Sequence, residues 1–457
     1  MTTLIILSTL GLVTLFSEIF GFKKILLPLT FLGLAAALVT AVMDWNTAKH
    51  YLNEMMIVDN FSIAFTVLMI AITIAWFILS PDFFHEPSSR VDHFSLIIFA
   101  LIGAQLLTSF GNMIMLFLAI EILSIPMYIL AGSNKGNASS NEAALKYFLM
   151  GAFATGFLLF GITLLYGQTG SFNLQVVSQA LTAQAGGGGP MVIAGVLLIL
   201  VGLSFKVSAV PFHFWAPDVY TGSPTVITAY MSTVVKTAAF AGFFRLFYTC
   251  FSSSAAVWTN TIWTLSVLTI IIGNVTAVYQ TNFKRMLAYS SIAHAGYMLM
   301  AILALNNYAQ PSILYYAVAY SVSSITAFGV LYAVSHVTKN DSIGSFNGLA
   351  KKNPLLAFVT VLAMLSLAGI PPMAGFFAKY YIFTAALQQH YIWLVLVAVL
   401  GSLTGVYYYF RIIIALFKSQ ESETAVPMTI PYKAALLFLS LAALVLGLMP
   451  QWIAGLL

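Results

Sequence analysis

Charged residues are scarce in this sequence and make up only 7% of its 457 residues. Hydrophobic residues make up 61%, and the mean hydropathy is +0.97. Soluble domains contain roughly 45–50% apolar residues, so this composition excludes an ordinary soluble protein, including a soluble enzyme. We therefore expect an all-α protein that crosses a membrane many times.

Cysteine is almost absent as well, since Cys250 is the only one. Structural zinc sites and iron–sulfur clusters need several Cys or Cys/His ligands at set spacings, so neither is expected here. No G-x-G-x-x-G pattern lies between a strand and a helix, so dinucleotide binding has no support. We expect this chain to hold no cofactor, metal or nucleic acid, and any redox chemistry to belong to partner subunits.

Apolar runs separated by turn residues follow one another along the whole sequence. A membrane span needs about 20 residues, so the length accommodates about 14 helices. The runs predict spans at 3–20, 25–43, 60–80, 93–110, 112–131, 142–166, 190–217, 223–250, 257–280, 285–305, 309–337, 354–388, 391–417 and 431–455. The longest polar segment, Ser171 to Pro190, contains glycines 186–189 and predicts a flexible loop.

Basic loop residues collect on one side when these loops are numbered alternately. One side holds Lys23, Lys24, Arg90, Lys135, Lys284, Arg285, Lys339, Lys351, Lys352, Lys418 and Lys433. The other side holds Lys49 alone. Basic loops mark the cytoplasmic face, so we expect both termini on the periplasmic face of a bacterial inner membrane, with the first span uncleaved.

Three lysines, Lys206, Lys236 and Lys379, lie deep inside apolar runs. A cation at the centre of a membrane costs about 2.5–3.5 kcal/mol on insertion scales. We therefore expect a lysine at such a depth to have a functional or structural role. Glu121 is the only carboxylate at comparable depth, and its closest cations by depth are Lys206 and Lys146. One carboxylate cannot neutralise all these lysines, so some of them should be neutral part of the time. A structural ion pair that only joins two helices is the alternative.

A lysine next to a mobile carboxylate has the properties of a proton switch. Burial disfavours its charged form, whereas an approaching carboxylate favours it. We therefore expect Glu121 to control the charge of Lys206, which would exchange protons with a neighbour such as Lys236. His213 and His294 also lie away from the loops, and histidine can relay protons. An ordinary histidine with a satisfied hydrogen bond is the alternative for each.

Prolines interrupt two of the predicted spans. The span with Lys206 contains Pro211 and Pro217, and the span with Lys379 contains Pro371 and Pro372. Proline removes a backbone hydrogen bond and clashes with the preceding turn, so both helices should break. Broken helices at matching places in two halves favour two inverted repeats of about five helices each, with an ion path between them. Kinks in packed helices are the alternative.

This organisation predicts four segments. Residues 1–92 would form N-terminal membrane helices, 93–250 a first inverted-repeat bundle, 257–417 a second one, and 418–457 a C-terminal membrane helix.

Four stretches resemble the antiporter-like subunits of respiratory complex I, the bacterial NADH-quinone oxidoreductase, and among them the N type. They are PFHFWAPDVYTGSPTVITAYMSTVVK from Pro211, EAALKYFLMGAFATGFLLFGITLLYGQTGS from Glu142, TNFKRMLAYSSIAHAGYM from Thr281 and GIPPMAGFFAKYYIF from Gly369. The resemblance covers roughly residues 93–417. The lysine at position 379 resembles the N and L types of this family, which carry a lysine at that position. The M type carries a glutamate there. The absence of a long extension after Leu457 favours the N type over the L type.

The resemblance implies a 14-helix fold with two inverted five-helix bundles and a set of site residues. Its proton-translocating residues would be Glu121, Lys206, Lys236 and Lys379, with Lys146, His213 and His294 at further positions of a polar axis. Lys206 would exchange protons with the cytoplasm, Lys236 would pass them along the midplane, and Lys379 would serve the exit path. NADH, flavin, iron–sulfur clusters and quinone would bind to partner subunits, among them further antiporter-like subunits.

The expected function is therefore proton translocation as a membrane subunit of an NADH-quinone oxidoreductase, driven by redox chemistry in its partners. One alternative is a subunit of a multi-component cation/proton antiporter, which has a similar fold and the same lysines but no redox partner. Another is a purely structural scaffold, in which neutralising the deep lysines would change nothing.

Overall fold

The structure, a computed structural model, is built almost entirely of helices. It describes all residues except 18, 20, 22–24, 85–89, 184–188 and 419–424. Lys23 and Lys24, counted above among the basic loop residues, and glycines 186–188 lie outside the described residues.

Two short strands and a series of helices make up the chain as far as the first predicted break. In order they are α1 Thr2–Phe16, α2 Leu26–Met43, β1 Lys49–Tyr51, β2 Met56–Val58, α3 Asn60–Ile78, α4 Arg90–Ser109, α5 Met113–Ala131, α6 Ala138–Thr169, α7 Leu174–Ala183 and α8 Pro190–Lys206. The strands pair antiparallel, with Lys49 opposite Val58.

The helices after the first break continue to the end of the chain. They are α9 Trp215–Gly222, α10 Thr225–Tyr230, α11 Lys236–Thr249, α12 Ala255–Val278, α13 Phe283–Ala304, α14 Ala309–Thr338, α15 Leu349–Lys352, α16 Pro354–Ala368, α17 Ala374–Gln388, α18 Ile392–Leu416, α19 Ile430–Leu448 and α20 Gln451–Ala454. A π turn, Met231–Val235, joins α10 to α11.

The prediction of an all-α protein with many membrane spans is confirmed. Within the described part of the chain, 11 helices are long and apolar enough to cross a membrane. Three shorter apolar helices are α1, α8 and α16. Each predicted span corresponds to one of these helices or to a helix interrupted at a break. The count of about 14 spans and the inverted repeats stay predictions.

The prediction of a flexible loop from Ser171 to Pro190 was wrong over much of its length. Helix α7 occupies Leu174–Ala183, and Leu174, Val177 and Leu181 are buried. Their spacing places them on one helix face, which packs against α6 and α11. This apolar periodicity was visible in the sequence but was outweighed by the polar and glycine residues around it.

The chain divides into two compact units. The first consists of Met1–Val207 and Val234–Asn260, and the second of Ser208–Thr233 and Thr261–Leu457. The first unit is built around the packing of α4 on α5 and of α6 on α8, and the second around α14, which contacts α16, α17 and α19. The predicted boundaries at 92, 250 and 417 stay predictions.

Candidate functional site

The first predicted break lies directly after Lys206. Helix α8 ends at Lys206, and the next helix, α9, begins at Trp215. Pro211 lies between them, where it cannot continue a helix, and Ser208 has a positive φ of 61°. Pro217 lies in the first turn of α9, where a missing backbone N–H costs no intrahelical hydrogen bond. Of the two prolines, Pro211 therefore marks the interruption.

Lys206 is buried, with 6% of the residue exposed. Its Nζ donates a hydrogen bond of 2.6 Å to Ser124 Oγ on α5 and lies 6.0 Å from the centre of the Tyr147 ring on α6. Ser124 in turn donates to the carbonyl of Ile120. Among the described residues, Lys206 makes no ion pair within 4.0 Å. The ammonium is therefore held by a hydroxyl group and not by a carboxylate.

Glu121 lies on α5, less than one helical turn before Ser124, and is half-buried. It is close enough to interact with Lys206 electrostatically. Its Oε1 is buried and has no hydrogen-bond partner within the described part of the chain. The structure thus brings Glu121 near Lys206 without a direct salt bridge, and control of the Lys206 charge by Glu121 stays a prediction.

Lys146 is not part of this buried group. Its Nζ lies 2.6 Å from Glu142 Oε1, one turn earlier on α6, and the two side chains are 39% and 62% exposed. Pairs at this spacing on a helix surface are common. A relay role for Lys146 stays a prediction.

Lys236 is buried, with 2% of the residue exposed, and is the first residue of α11. The π turn Met231–Val235 immediately precedes it. Single π turns inside helices are frequent at functional sites, because they shift the register of the side chains that follow. The sequence contained no signal that predicted this turn.

Side chains at the start of α13 hold the end of α9. Lys284 is buried, and its Nζ donates to the carbonyls of Thr221 and Ser223 at 3.3 and 2.5 Å. Carbonyls at a helix C-terminus lack intrahelical partners, so a lysine there satisfies them. Arg285 forms an ion pair of 3.0 Å with Asp218 of α9. Lys284, counted above as a loop residue, therefore belongs to the buried part of a helix.

His213 lies between α8 and α9 and is buried. Its Nδ1 has no hydrogen-bond partner among the residues that the structure describes. The buried hydroxyl of Ser208, in the same interruption, is likewise unpartnered within that part of the chain. A relay role for His213 stays a prediction.

The second predicted break lies directly before the helix of Lys379. Helix α16 ends at Ala368 and α17 begins at Ala374. Gly369 has a φ of +82°, a conformation that side chains other than glycine rarely adopt. A Cβ at Gly375 would lie 1.7 Å from the Ser366 carbonyl oxygen. Glycine therefore lets α17 approach the end of α16 closely.

Lys379 is buried and reaches back across this interruption. Its Nζ donates to the carbonyl of Ala368 and to Ser402 Oγ, both at 2.7 Å. It also lies 5.4 Å from the centre of the Tyr297 ring. Among the described residues it makes no ion pair within 4.0 Å. A cation at the C-terminal end of a helix is favoured by the helix dipole.

His294 lies in the middle of α13 and is buried. Its Nδ1 lies 2.6 Å from the Tyr316 hydroxyl, and its Nε2 lies 3.1 Å from the Tyr409 hydroxyl. A small cavity next to the ring is also lined by Ser366 and Ala378, the residue before Lys379. The second unit therefore brings His294 and Lys379 to neighbouring places.

A search of the described residues for three or more His, Cys, Asp or Glu side chains that could hold a metal ion finds no such group.

Comparisons with known proteins agree with the motif resemblance. The model of the family described as NADH:quinone oxidoreductase/Mrp antiporter, transmembrane, matches residues 111–405. NADH-quinone oxidoreductase subunit N of Cytophaga hutchinsonii is 44% identical over 455 residues, which cover 99% of this chain and 98% of the relative.

Two solved structures extend this likeness to the fold. A chain of respiratory complex I from Thermus thermophilus with bound aureothin is 35% identical, with a TM-score of 0.85 and coverage of 99% of this chain and 98% of that one. A chain of the Mrp complex of a Dietzia species is 20% identical, with a TM-score of 0.88 and coverage of 99% and 95%, which shows a shared fold alone. The family match and the high identities together show that this chain belongs to the NADH:quinone oxidoreductase/Mrp antiporter family of transmembrane subunits.

Proposed function

We propose that this chain is a proton-translocating membrane subunit of an NADH-quinone oxidoreductase, in which buried lysines carry the protons. The observation that supports this most strongly is the position of Lys206 and Lys379. Each lies at an interruption of an apolar helix, is buried, and has no carboxylate within ion-pair distance among the described residues. Burial disfavours the charged form of a lysine, and no carboxylate is paired with either lysine to hold its proton in place.

At Lys206, proton binding and release depend on Glu121. The charge of the Glu121 carboxylate reaches Lys206, but no direct salt bridge locks the two together. When the carboxylate moves closer, Lys206 binds a proton, and when it moves away, Lys206 releases the proton to another group. Ser124 Oγ accepts a hydrogen bond from the ammonium and can accept one equally from the N–H of the free amine, so it accommodates both forms.

Lys236 receives the proton along the midplane, and Lys379 delivers it to the exit path. Lys379 keeps its place in both charge states, because the Ala368 carbonyl accepts a hydrogen bond from an amine or an ammonium. His294 lies beside the cavity that Ala378 lines, so it is placed to hand a proton to the region of Lys379. His213 and Lys146 are further candidates for this row.

Redox chemistry in partner subunits supplies the energy. NADH, flavin, iron–sulfur clusters and quinone bind to those subunits, and this chain responds through changes at Glu121. The chain lies in the bacterial inner membrane with both termini in the periplasm. Lys49, the one basic loop residue on the periplasmic side, forms an ion pair with Asp44 at 2.8 Å, which raises its pKa.

The experiment that tests this function replaces Lys206 or Lys236 by alanine in the complete oxidoreductase. Vesicles that contain the assembled complex are assayed for NADH oxidation and for proton pumping. We expect pumping to fall by about two orders of magnitude, the lower range for loss of a positioned proton-transfer group. Lys135→Ala, at an exposed loop position, is the matched control and should leave both rates unchanged. Undiminished pumping by fully assembled variants would contradict the proposed function.

A cation/proton antiporter subunit is the second candidate function. It is supported by the shared fold with the Mrp chain and by the family, which includes Mrp antiporters. The two candidate functions predict different partner subunits for this chain. Copurification with subunits that bind NADH and quinone favours the oxidoreductase, whereas cation-dependent proton exchange without such subunits favours the antiporter.

A further inference from the structure

Three consecutive tyrosines on α18 have very different surroundings. Tyr407 is 58% exposed, whereas Tyr408 and Tyr409 are 2% and 1% exposed. Buried tyrosine hydroxyls need hydrogen-bond partners, so the contacts of Tyr408 and Tyr409 show what the helix presents to the interior.

Tyr409 lies at a junction of two polar groups. Its hydroxyl interacts with His294 Nε2 at 3.1 Å and with Ser290 Oγ. A hydroxyl has one proton and two lone pairs, so it can donate to one of these groups while it accepts from the other. Its single proton can therefore point to either neighbour.

Asn274 limits these choices. Its Nδ2 donates to the Ile270 carbonyl at 2.8 Å, which can only accept, so the orientation of the amide is fixed. The Oδ1 then faces the Tyr408 hydroxyl, which donates to it at 3.0 Å. Because the Tyr408 proton is committed to Asn274, Tyr408 does not donate to Tyr409, and its ring packs against that of Tyr409 with the two centroids 4.5 Å apart. The same amide donates to the Tyr297 hydroxyl at 3.1 Å, beside Lys379.

Ser290 and His294, the two contacts of Tyr409, lie at different depths along α13. Ser290 lies seven residues and His294 eleven residues after Phe283, the first residue of α13, which corresponds to about 10 and 16 Å of helical rise. Tyr409 contacts both residues. It therefore bridges the turn of α13 between Ser290 and His294.

We propose that Tyr409 is a proton-relay residue that connects Ser290 to His294, and that Tyr408 and Asn274 are positioning residues that orient it. This rests on the proposed proton-translocating function. It gives His294 a hydrogen-bonded connection toward the N-terminal end of α13, in addition to its connection through Tyr316 to the cavity beside Ala378.

The relay conserves charge at every group. Tyr409 gives its proton to His294 Nε2 while its oxygen takes the proton of Ser290 Oγ, and a hydrated proton from the N-terminal end of α13 restores the serine hydroxyl. At the same time, His294 Nδ1 gives its proton to Tyr316, which passes its own proton to water in the cavity. One proton enters and one leaves, and each side chain ends neutral.

The test compares the adjacent tyrosines in the assembled oxidoreductase. Tyr409→Phe removes only the hydroxyl and should lower proton pumping about fivefold, the factor for loss of one hydrogen bond, and should increase the solvent deuterium isotope effect. Tyr408→Phe should have a smaller effect, and Tyr407→Phe, the matched control, should have none. A purely structural role would lower thermal stability without changing the isotope effect, and that result would contradict the proposal.

A double-substitution cycle adds a second criterion. In a His294→Ala background, Tyr409→Phe should cause no further loss, because the relay is already interrupted. Ser290→Ala interrupts the same connection from its other end and replaces Tyr409→Phe if that variant does not assemble. If Lys379→Ala abolishes pumping while Tyr409→Phe and Ser290→Ala behave like Tyr407→Phe, the relay is wrong and the proposed function stands. If Lys379→Ala pumps normally, the proposed function itself fails.

Discussion

The two broken helices hold their lysines in different ways. At the first break, Lys206 belongs to the helix before the interruption, and its one hydrogen bond among the described residues goes to a side chain, Ser124. At the second break, Lys379 belongs to the helix after the interruption, and it bonds to a backbone carbonyl, Ala368, as well as to Ser402. Backbone at a helix end is fixed, whereas a side-chain hydroxyl rotates.

The surroundings of the two breaks also differ, with side-chain contacts at the first and backbone packing at the second. The helix after the first break is held at its end by side chains, through Lys284 and the Arg285–Asp218 ion pair. The second break is closed by backbone packing at Gly375. Among the described residues, Lys206 has a carboxylate, Glu121, close enough to interact with it electrostatically, and Lys379 has none. We infer that Lys206 is the adjustable proton site, and that Lys379 is a fixed one that depends on its hydrogen-bonded neighbours.

The largest expected effect concerns the packing of the second break. Gly375→Ala would place a Cβ 1.7 Å from the Ser366 carbonyl oxygen, and both are backbone-bound atoms that cannot turn aside. We expect a loss of stability of about 3 kcal/mol or more, and little assembled complex. Thermal unfolding of the purified complex measures this. Gly156→Ala, in open space on α6, is the control and should change stability by less than about 1 kcal/mol.

A smaller effect is expected from removing the carboxylate at the first break. Glu121→Gln keeps the shape of the side chain and removes its charge. Proton pumping should fall about tenfold, which corresponds to roughly 1.4 kcal/mol. Glu142→Gln, which removes the exposed partner of Lys146, should change the rate by less than about fivefold, because exposed pairs contribute about 0–1 kcal/mol. Equal losses in the two variants would remove the special role given to Glu121.

The smallest effect distinguishes the two hydroxyl partners. Ser124→Ala leaves Lys206 without its hydrogen bond, and the net contribution of one hydrogen bond is about 1 kcal/mol, or roughly fivefold in rate. Ser402→Ala leaves Lys379 bonded to the Ala368 carbonyl, so its loss should be smaller. Pumping rates of the two variants, each relative to the unchanged complex, give the comparison. A greater loss in Ser402→Ala would reverse the assignment of adjustable and fixed sites.

Much of the fold could be predicted from the sequence, because apolar runs and prolines act locally. The positions of the membrane helices follow from hydropathy, and Pro211 and Pro371 marked both interruptions. Helix α7 was missed because glycines and polar residues obscured its three buried apolar positions. The π turn before Lys236 has no signal in the residue types around it.

The site was predictable only in part. Depth in an apolar run identified Lys206, Lys236 and Lys379, because burying a charge is costly wherever the helix packs. The partners were not predictable, since they come from distant parts of the chain. Ser124 lies 82 residues from Lys206, and Tyr408 lies 134 residues from Asn274. Lys284 was misjudged because a lysine near a helix end resembles a loop residue until its carbonyl partners are known.

The most direct test of proton transport by these lysines is the number of protons pumped per NADH oxidised by the assembled complex with Lys206→Ala or Lys379→Ala. If both lysines carry protons, each variant pumps fewer protons per NADH than the unchanged complex, and Lys135→Ala pumps the same number. An unchanged number in both lysine variants, in complexes that are fully assembled, would show that neither lysine carries protons.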